Sequence, residues 1–375
     1  MEEQESKGMT NQSNWVESTM FVVQMYYTPT LVGLGTLGNC LSVYVFFYTK
    51  MRKASSSWYL AALVISDTGF LASLFVVWLN LVGFGIFNRQ GYCQFFVYLS
   101  TLCSFLSVWF VVSFTVERFI AVLYPLRRQS LCTVTKAKMV ILGLTCIGVI
   151  LCSPVLWFSG PRPVNNKPNI TACQLVTERE NLASAFNVAD TILTFVLPFG
   201  TIVILNGLIS RAVWRLANVR RTLTTNGQRN LRCGNTGMSQ AKVTKMLLVV
   251  SSVFLCFNLP AYVMRVRAFI EVHQDDTRST MLAQQIANLL FDTNFGINFV
   301  LYCASGQNFR KAVVRLILRR PWRWHSGTPV SNHVSDIRRS SSKMTRQKTI
   351  VYEVPWNEGC EMRTIESSST RTLSQ

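Results

Sequence analysis

The chain has 375 residues, 49% of them hydrophobic and only 15% charged, against the quarter that a soluble globular domain carries. Those figures exclude a disordered chain, a collagen and a small disulfide-stapled secreted domain; the apolar residues fall in long runs, which points to a membrane protein. The net charge of +19 raises nucleic acid as a partner, a question that the placement of the charge decides.

Residues 1–27 read as an extracellular N-terminus. Glu2, Glu3 and Glu5 stand where a cleavable signal peptide needs a basic start, so the first apolar run is expected to double as an uncleaved insertion signal. Seven apolar runs follow: Thr28–Tyr48, Trp58–Val82, Phe95–Leu123, Ala137–Phe158, Phe186–Ile209, Val243–Val263 and Met281–Cys303. Each is long enough to cross a hydrocarbon core of about 30 Å. The fold class that follows is all-α, a seven-transmembrane-helix bundle over residues 28–304. Within residues 305–320, Phe309, Val313, Leu316 and Ile317 recur at helical spacing opposite Arg310, Lys311, Arg315 and Arg319. That pattern predicts a short amphipathic helix on the membrane surface. Residues 321–375 are Ser/Thr-rich with too few apolar side chains for a core, and a disordered cytosolic tail is expected.

Seven spans put the two ends of the chain on opposite sides. The N-terminal side holds 8 of the 37 basic residues, namely Lys7, Arg89, Arg162, Lys167, Arg179, Arg265, Arg267 and Arg278, and the other 29 lie on the side of the tail. Positive-inside bias therefore sets the N-terminus outside and the tail in the cytosol. There the excess charge meets anionic membrane lipids and a cytosolic partner; no folded basic domain is present to hold nucleic acid. Of the 11 cysteines only Cys93 and Cys173 fall outside. In an oxidising compartment they are expected to form a disulfide, with two free thiols as the alternative. Asn11 and Asn169 head N-x-Ser/Thr sequons on the same side, which makes them candidate glycosylation sites.

Polar side chains inside a membrane helix are costly and mark functional candidates. Asp67 lies midway along the second run and Ser107 in the third, while Asn294, Asn298 and Tyr302 share one face of the seventh at four-residue spacing. A carboxylate, a hydroxyl and two amide oxygens make an oxygen shell for a small cation. Hydrogen bonding that merely ties the helices together uses the same residues, and on chemistry alone it stands slightly ahead. Glu117-Arg118 closes the third run at its cytosolic end, where a snorkelling arginine is the plain reading.

Taken in order, these residues resemble the rhodopsin-like G-protein-coupled receptors across Tyr27 to about Leu318. Gly38-Asn39 matches the first-span signature, LAALVISD ending at Asp67 the second, and Glu117-Arg118-Phe119 with Pro125 the end of the third. Phe195-Val196-Leu197-Pro198-Phe199 resembles the fifth-span proline motif, Phe254 and Pro260 the sixth, Asn298 with Tyr302 the seventh, and Phe309-Arg310 the start of the surface helix. The resemblance implies a multi-pass receptor of the plasma membrane that activates a heterotrimeric G protein and is not an enzyme. It implies a Cys93–Cys173 bridge, and no cofactor beyond an allosteric sodium ion held by Asp67, Ser107, Asn294 and Asn298. Glu117, Arg118, Asn258, Pro260 and Tyr302 are implied as the coupling and switch set. In the tail, Arg338-Arg339-Ser340-Ser341-Ser342 and Ser367-Ser368-Ser369-Thr370 suit a receptor kinase and arrestin.

The sequence also departs from the family pattern. Phe299 replaces the proline after Asn298, Asn258 stands two before Pro260 where an aromatic switch residue is usual, and the fourth span has no central Trp. Asn206 replaces a fifth-span Tyr, and the stretch Ser239-Gln240-Ala241-Lys242 lacks the acid that usually partners Arg118. These differences bear on switching, not on the fold.

Ligand class narrows by exclusion. The seventh span has Asp292 where an opsin has its retinal-binding lysine, and Tyr98-Leu99-Ser100-Thr101-Leu102 has no acid for an amine. A polar mouth remains, with Gln94, Tyr98, Arg265, Gln285, Asn288 and Asp292 as candidate contacts for an extracellular peptide; if the family's register holds, Arg265 and Asp292 face one cavity and can pair in the empty receptor, with an interface arginine snorkelling to lipid headgroups as the equal alternative. The segments CFNLPAYVMRVR and LLFDTNFGINFVLYCASGQNFRKAV look most like invertebrate neuropeptide receptors of the CNMamide and FMRFamide-like kind. A transporter or channel is the alternative. A transporter calls for paired broken helices in two related halves and a channel for a pore-lining repeat; neither pattern is present. His273, His325 and His333 lie outside the spans and form no catalytic set.

Overall fold

Helix α1 (Glu2–Tyr48) starts far ahead of its apolar run and carries Pro29 inside it, so the segment read as an extracellular N-terminus is helical from its second residue. The computed structural model describes residues 2–164, 167–175, 180–225, 235–270 and 278–318; side chains are described over 18–163, 171–174, 182–219, 248–267, 281–316 and 318. A 3-10 turn at Lys50–Lys53, opened by Thr49 Oγ1 accepting from Met51 N at 3.2 Å, leads to α2 (Ser55–Leu81). Gly91, at φ +85, takes a left-handed turn that other residues avoid. The chain then enters α3 (Tyr92–Leu123), where the Gly91 N–H donates to Gln94 Oε1 at 2.7 Å. At about 1.5 Å per residue, α3 is long enough to cross the membrane at a tilt.

The turn after α3 is α4 (Pro125–Leu131), with Pro125 in the first turn where a missing N–H costs nothing. The fourth span is α5 (Val134–Cys152), and α6 (Val155–Phe158) follows Pro154. An antiparallel hairpin crosses the outer face, β1 (Ser159–Val164) against β2 (Lys167–Leu175), with Pro161 opposite Cys173.

The fifth span comprises α7 (Glu180–Thr191), a π-helical turn at Ile192–Val196, and α8 (Leu197–Thr225). Pro198 explains the turn. It lacks an N–H, so Leu193 O and Thr194 O lose the donors that five- and four-residue spacing would supply. In lipid such carbonyls must find partners within the protein. Trp109 Nε1 on α3 donates to Leu193 O at 3.1 Å, and Tyr262 Oη donates to Thr194 O at 3.4 Å. Those two bonds tie the third and sixth spans to the fifth.

The sixth span is α9 (Asn235–Ile270), with Pro260 inside it. The seventh run is divided into α10 (Arg278–Gly296) and α11 (Asn298–Ser305). The break needs no proline: Asn298 Nδ2 reaches Asn294 O at 3.4 Å, the carbonyl that the helical ladder assigns to the Asn298 N–H. A side chain inserted into the ladder is a recognised cause of a kink. Six helical stretches are each long and apolar enough to cross a membrane, and the divided seventh completes the bundle. Helix α12 (Gln307–Ile317) follows, with Phe309, Ala312 and Val313 buried and Arg310, Lys311 and Arg315 exposed.

The buried centre wraps α3, where Leu106, Val108, Phe110, Val111 and Phe114 meet Leu60, Ile202 and Phe254. Outward faces carry exposed Leu34, Met139, Leu142, Ile150 and Ile204, the surface that acyl chains solvate. Several hydroxyls inside the spans are satisfied locally, as when Thr115 Oγ1 donates to Val111 O at 2.8 Å. The described part thus forms a multi-pass helical bundle; the tail from 319 onward, including both Ser/Thr clusters, lies outside the described residues.

Candidate functional site

Three polar centres lie along the bundle. The outer one is anchored by the Cys93–Cys173 disulfide, with Cα atoms 5.6 Å apart. Asn88 Oδ1 accepts from Cys173 N at 3.0 Å, so the hairpin is held at two points to the top of α3 and the loop before it. Beneath it is a cavity of about 290 Å³, walled by Phe87, Val97, Phe158 and Phe186, with Gln174, Asn187, Asp190 and Arg265 as polar lining. Arg265 Nη1 donates to Asp190 Oδ2 at 2.8 Å, with Asp190 14% and Arg265 42% exposed. This corrects the expected partner: Arg265 pairs with Asp190 of the fifth span, not with Asp292. The π-helical turn and the Tyr262–Thr194 bond join those two spans just inside this pair, and the Arg265 guanidinium lies 5.6 Å from the Tyr262 ring.

The other candidate ligand contacts stand apart from this cavity. Gln94 caps α3, Tyr98 Oη donates to Val149 O at 3.2 Å on α5, and Asn288 Oδ1 accepts from Gln284 at 2.9 Å. Gln285 Oε1 is buried without a hydrogen-bond partner among the described residues. Asp292 is half-buried on α10. Asp190, absent from the candidate contacts, carries the same sequence signal as Asp67, an acid inside an apolar run.

A line of aromatic rings leads inward. Phe195 stacks on Tyr262 with centroids 4.4 Å apart, Tyr262 meets Phe291 edge-on at 6.3 Å, Phe291 meets Phe295 at 5.3 Å, and Phe295 stacks on Phe70 at 3.7 Å. Phe70 is one helical turn from Asp67, the middle centre, which is fully buried. Ser107 Oγ donates to Asp67 Oδ1 at 2.7 Å and Asn298 Nδ2 to Asp67 Oδ2 at 2.5 Å. Asn294 enters through its backbone carbonyl, the acceptor for Asn298. Asn39 Nδ2 donates to Phe295 O at 3.0 Å, adding the first span to the set. The donors are all oxygen-bearing groups around one carboxylate, the chemistry that suits a small hard cation, once Ser107 and Asn298 turn lone pairs towards it.

At the inner end Glu117 and Arg118 are both buried, with Arg118 Nη2 3.4 Å from Glu117 Oε2. Ser55 Oγ donates to Glu117 Oε1 and, at 3.1 Å, to Cys132 O. Arg118 therefore pairs with its own neighbour, and that carboxylate is anchored by the second span. Tyr302 is wholly buried between Phe46 and Phe309, each ring 5.5 Å away, and its hydroxyl has no partner among the described residues. Asn258 Nδ2 donates to Phe254 O at 2.7 Å, one turn back along its own helix. The side chain of Asn169 and that of Asn11 lie outside the described residues.

A family profile described as 7 transmembrane receptor (rhodopsin family) matches residues 38–302. The chain is 26% identical over 346 residues to the FMRFamide receptor of Drosophila melanogaster, covering 84% of this chain and 59% of that protein. It is 27% identical over 317 residues to the thyrotropin-releasing hormone receptor of Mus musculus, covering 79% of each. To the RYamide receptor of Drosophila melanogaster it is 26% identical over 313 residues, covering 80% of this chain and 64% of the relative. The chain thus spans less than two thirds of the length of both fly receptors.

Proposed function

The chain belongs to the rhodopsin family of seven-transmembrane receptors, and from that membership we propose that it is a cell-surface G-protein-coupled receptor for an extracellular neuropeptide. The observation that carries this reading is the outer cavity. It opens beneath a disulfide-held hairpin and joins apolar walls to an exposed arginine on the sixth span and a half-buried aspartate on the fifth. Peptides offer backbone carbonyls, termini and side chains of both kinds, and a guanidinium presents five donors in a plane to such groups. The relatives' names, which refer to FMRFamide, RYamide and thyrotropin-releasing hormone, support the same class.

In this reading the ligand separates Arg265 from Asp190 and changes how α9 sits against the fifth span. The displacement runs through the stacked rings to Asp67. A sodium ion bound there by Asp67, Ser107 and Asn298 would supply positive charge in one state and leave in the other. At the inner end, the swing of α9 about Pro260 frees Arg118 from Glu117 for the G protein and gives the orphaned Tyr302 hydroxyl a new partner. The N-terminus faces outside and the basic loops and tail face the cytosol; the tail clusters serve receptor kinase and arrestin. The test is a screen of a neuropeptide library on cells expressing the chain, read by calcium and cyclic-nucleotide responses. A saturable response to one peptide supports the reading. Solute or ion flux with no second-messenger response to any peptide would return the chain to the transporter or channel class.

A further inference from the structure

Four acids with described side chains lie inside the spanning helices, and three of them are held. Ser107 and Asn298 donate to Asp67, Ser55 and Arg118 engage Glu117, and Arg265 binds Asp190. Asp292, half-buried on α10, is the exception: among the described residues no neighbouring charge or hydrogen bond acts on its carboxylate. An unmatched carboxylate at membrane depth is costly.

Helical geometry fixes where Asp292 stands. At about 3.6 residues per turn, it lies between two packed faces of α10. On one side, Phe291 meets Phe70 at 5.7 Å and Tyr262 at 6.3 Å. On the other, the hydroxyls of Thr293 and Tyr27 are 2.5 Å apart, and a Cβ on Gly296 would stand 3.5 Å from Gly35 Cα, so that side rests on α1. Asp292 is therefore inside the bundle and not on its lipid face. Asn288 and Gln285 continue the same strip outward, about 6 and 10.5 Å along the axis. Asn288 is exposed and its Oδ1 is taken by Gln284, whereas Gln285 Oε1 is buried with no partner among the described residues. The strip thus runs inward from the outer end of α10 and holds an amide oxygen and a carboxylate that both lack donors.

We propose that this strip is a cation subsite of the receptor, taking a guanidinium or ammonium group of the peptide, with Asp292 as its counter-charge and Gln285 Oε1 as a further acceptor. Resting on the peptide reading above, the subsite adds a requirement: the ligand carries a positive charge on the part that reaches deepest. Acceptors without donors call for a donor-rich group, and a carboxylate is met best by a charged one. Arg265 at the outer cavity offers the opposite charge, so the two centres fix which end of the ligand enters where. Asp292 also adjoins Phe291, the ring between Tyr262 and Phe295. A group seated on the acid therefore bears on the line of rings that leads to Asp67.

The test uses saturation-transfer NMR on the full-length receptor in phosphatidylcholine nanodiscs, with N-acetyl-argininamide, N-acetyl-lysinamide and the neutral N-acetyl-citrullinamide as probes. At least one cationic probe is expected to bind about tenfold or more tightly than the citrulline probe, on the scale of one charged hydrogen bond; which one does so identifies the cation. Asp292→Asn is expected to erase that advantage. Gln285→Leu keeps the acid and is expected to weaken the cationic probe by about threefold, and it serves as the reading if Asp292→Asn does not fold. An advantage that survives Asp292→Asn, or that is lost with Asp190→Asn instead, would overturn the subsite, as would binding of none of the probes. A neuropeptide response in cells without any cation advantage would refute the subsite and leave the receptor reading standing. A cation advantage at Asp292 with no response to any peptide would count against the receptor reading alone.

Discussion

Asp190 and Arg265 separate what holds the receptor together from what lets it respond. Arg265 is 42% exposed, so solvent screening leaves the pair worth about 0–1 kcal/mol to stability. Asp190→Asn and Arg265→Ala are therefore expected to fold and reach the surface normally while each lowers agonist potency. The double variant falls short of the sum of the singles if the two act as a pair; full additivity in a dose–response cycle would separate them. Asp67 is the opposite case, a buried carboxylate with both oxygens hydrogen-bonded. Agonist affinity is expected to fall as sodium replaces a larger cation at fixed ionic strength, and Asp67→Asn to abolish that dependence. Wild-type affinity indifferent to sodium would remove the ion from the account. Both acids announce themselves in the sequence as charges inside apolar runs, but only geometry reveals that Arg265 turns to Asp190 on the fifth span and leaves Asp292 aside. Sequence spacing fixes depth in the membrane and not which neighbouring helix a long side chain reaches.

Helices α1 and α10 approach closely enough that only glycine fits. A Cβ on Gly35 would stand 2.8 Å from Gly296 Cα and 3.0 Å from Leu71 Cδ1, and a backbone atom cannot step aside. Small residues at such contacts are how membrane helices associate without a hydrophobic drive between them. Gly35→Ala is expected to cost about 1–3 kcal/mol through overpacking, seen as a lower thermal midpoint and reduced surface expression. Gly33→Ala, with nothing within 4 Å, is the neutral comparison, and equal behaviour of the two would refute the close approach. The seven apolar runs are legible because lipid leaves little choice but a helix. The ends are not: α1 takes in the polar residues from Glu2 onward, ahead of its apolar run, and the seventh run breaks at Ile297 because Asn298 competes for a carbonyl. The π-helical turn has a readable cause in Pro198, while Trp109 and Tyr262 could be assigned to its carbonyls only once the third and sixth spans were in place.

The molecule as a whole joins an outer cavity to an inner arginine through packed rings and a buried carboxylate, with the disulfide holding the hairpin over the outer end. Removing a native bridge typically costs about 2–5 kcal/mol, so Cys93→Ala is expected to reduce surface expression or agonist potency strongly; full expression at unchanged potency would show that the hairpin needs no staple. The most direct measurement of the central claim is guanine-nucleotide exchange on a purified heterotrimeric G protein, reconstituted with the full chain in nanodiscs and the peptide that activates it in cells. Peptide is expected to accelerate exchange on the wild-type receptor, and Arg118→Ala to abolish the acceleration while still binding the peptide. Peptide-driven exchange that survives loss of Arg118, or peptide binding that never accelerates exchange on any G protein, would contradict it.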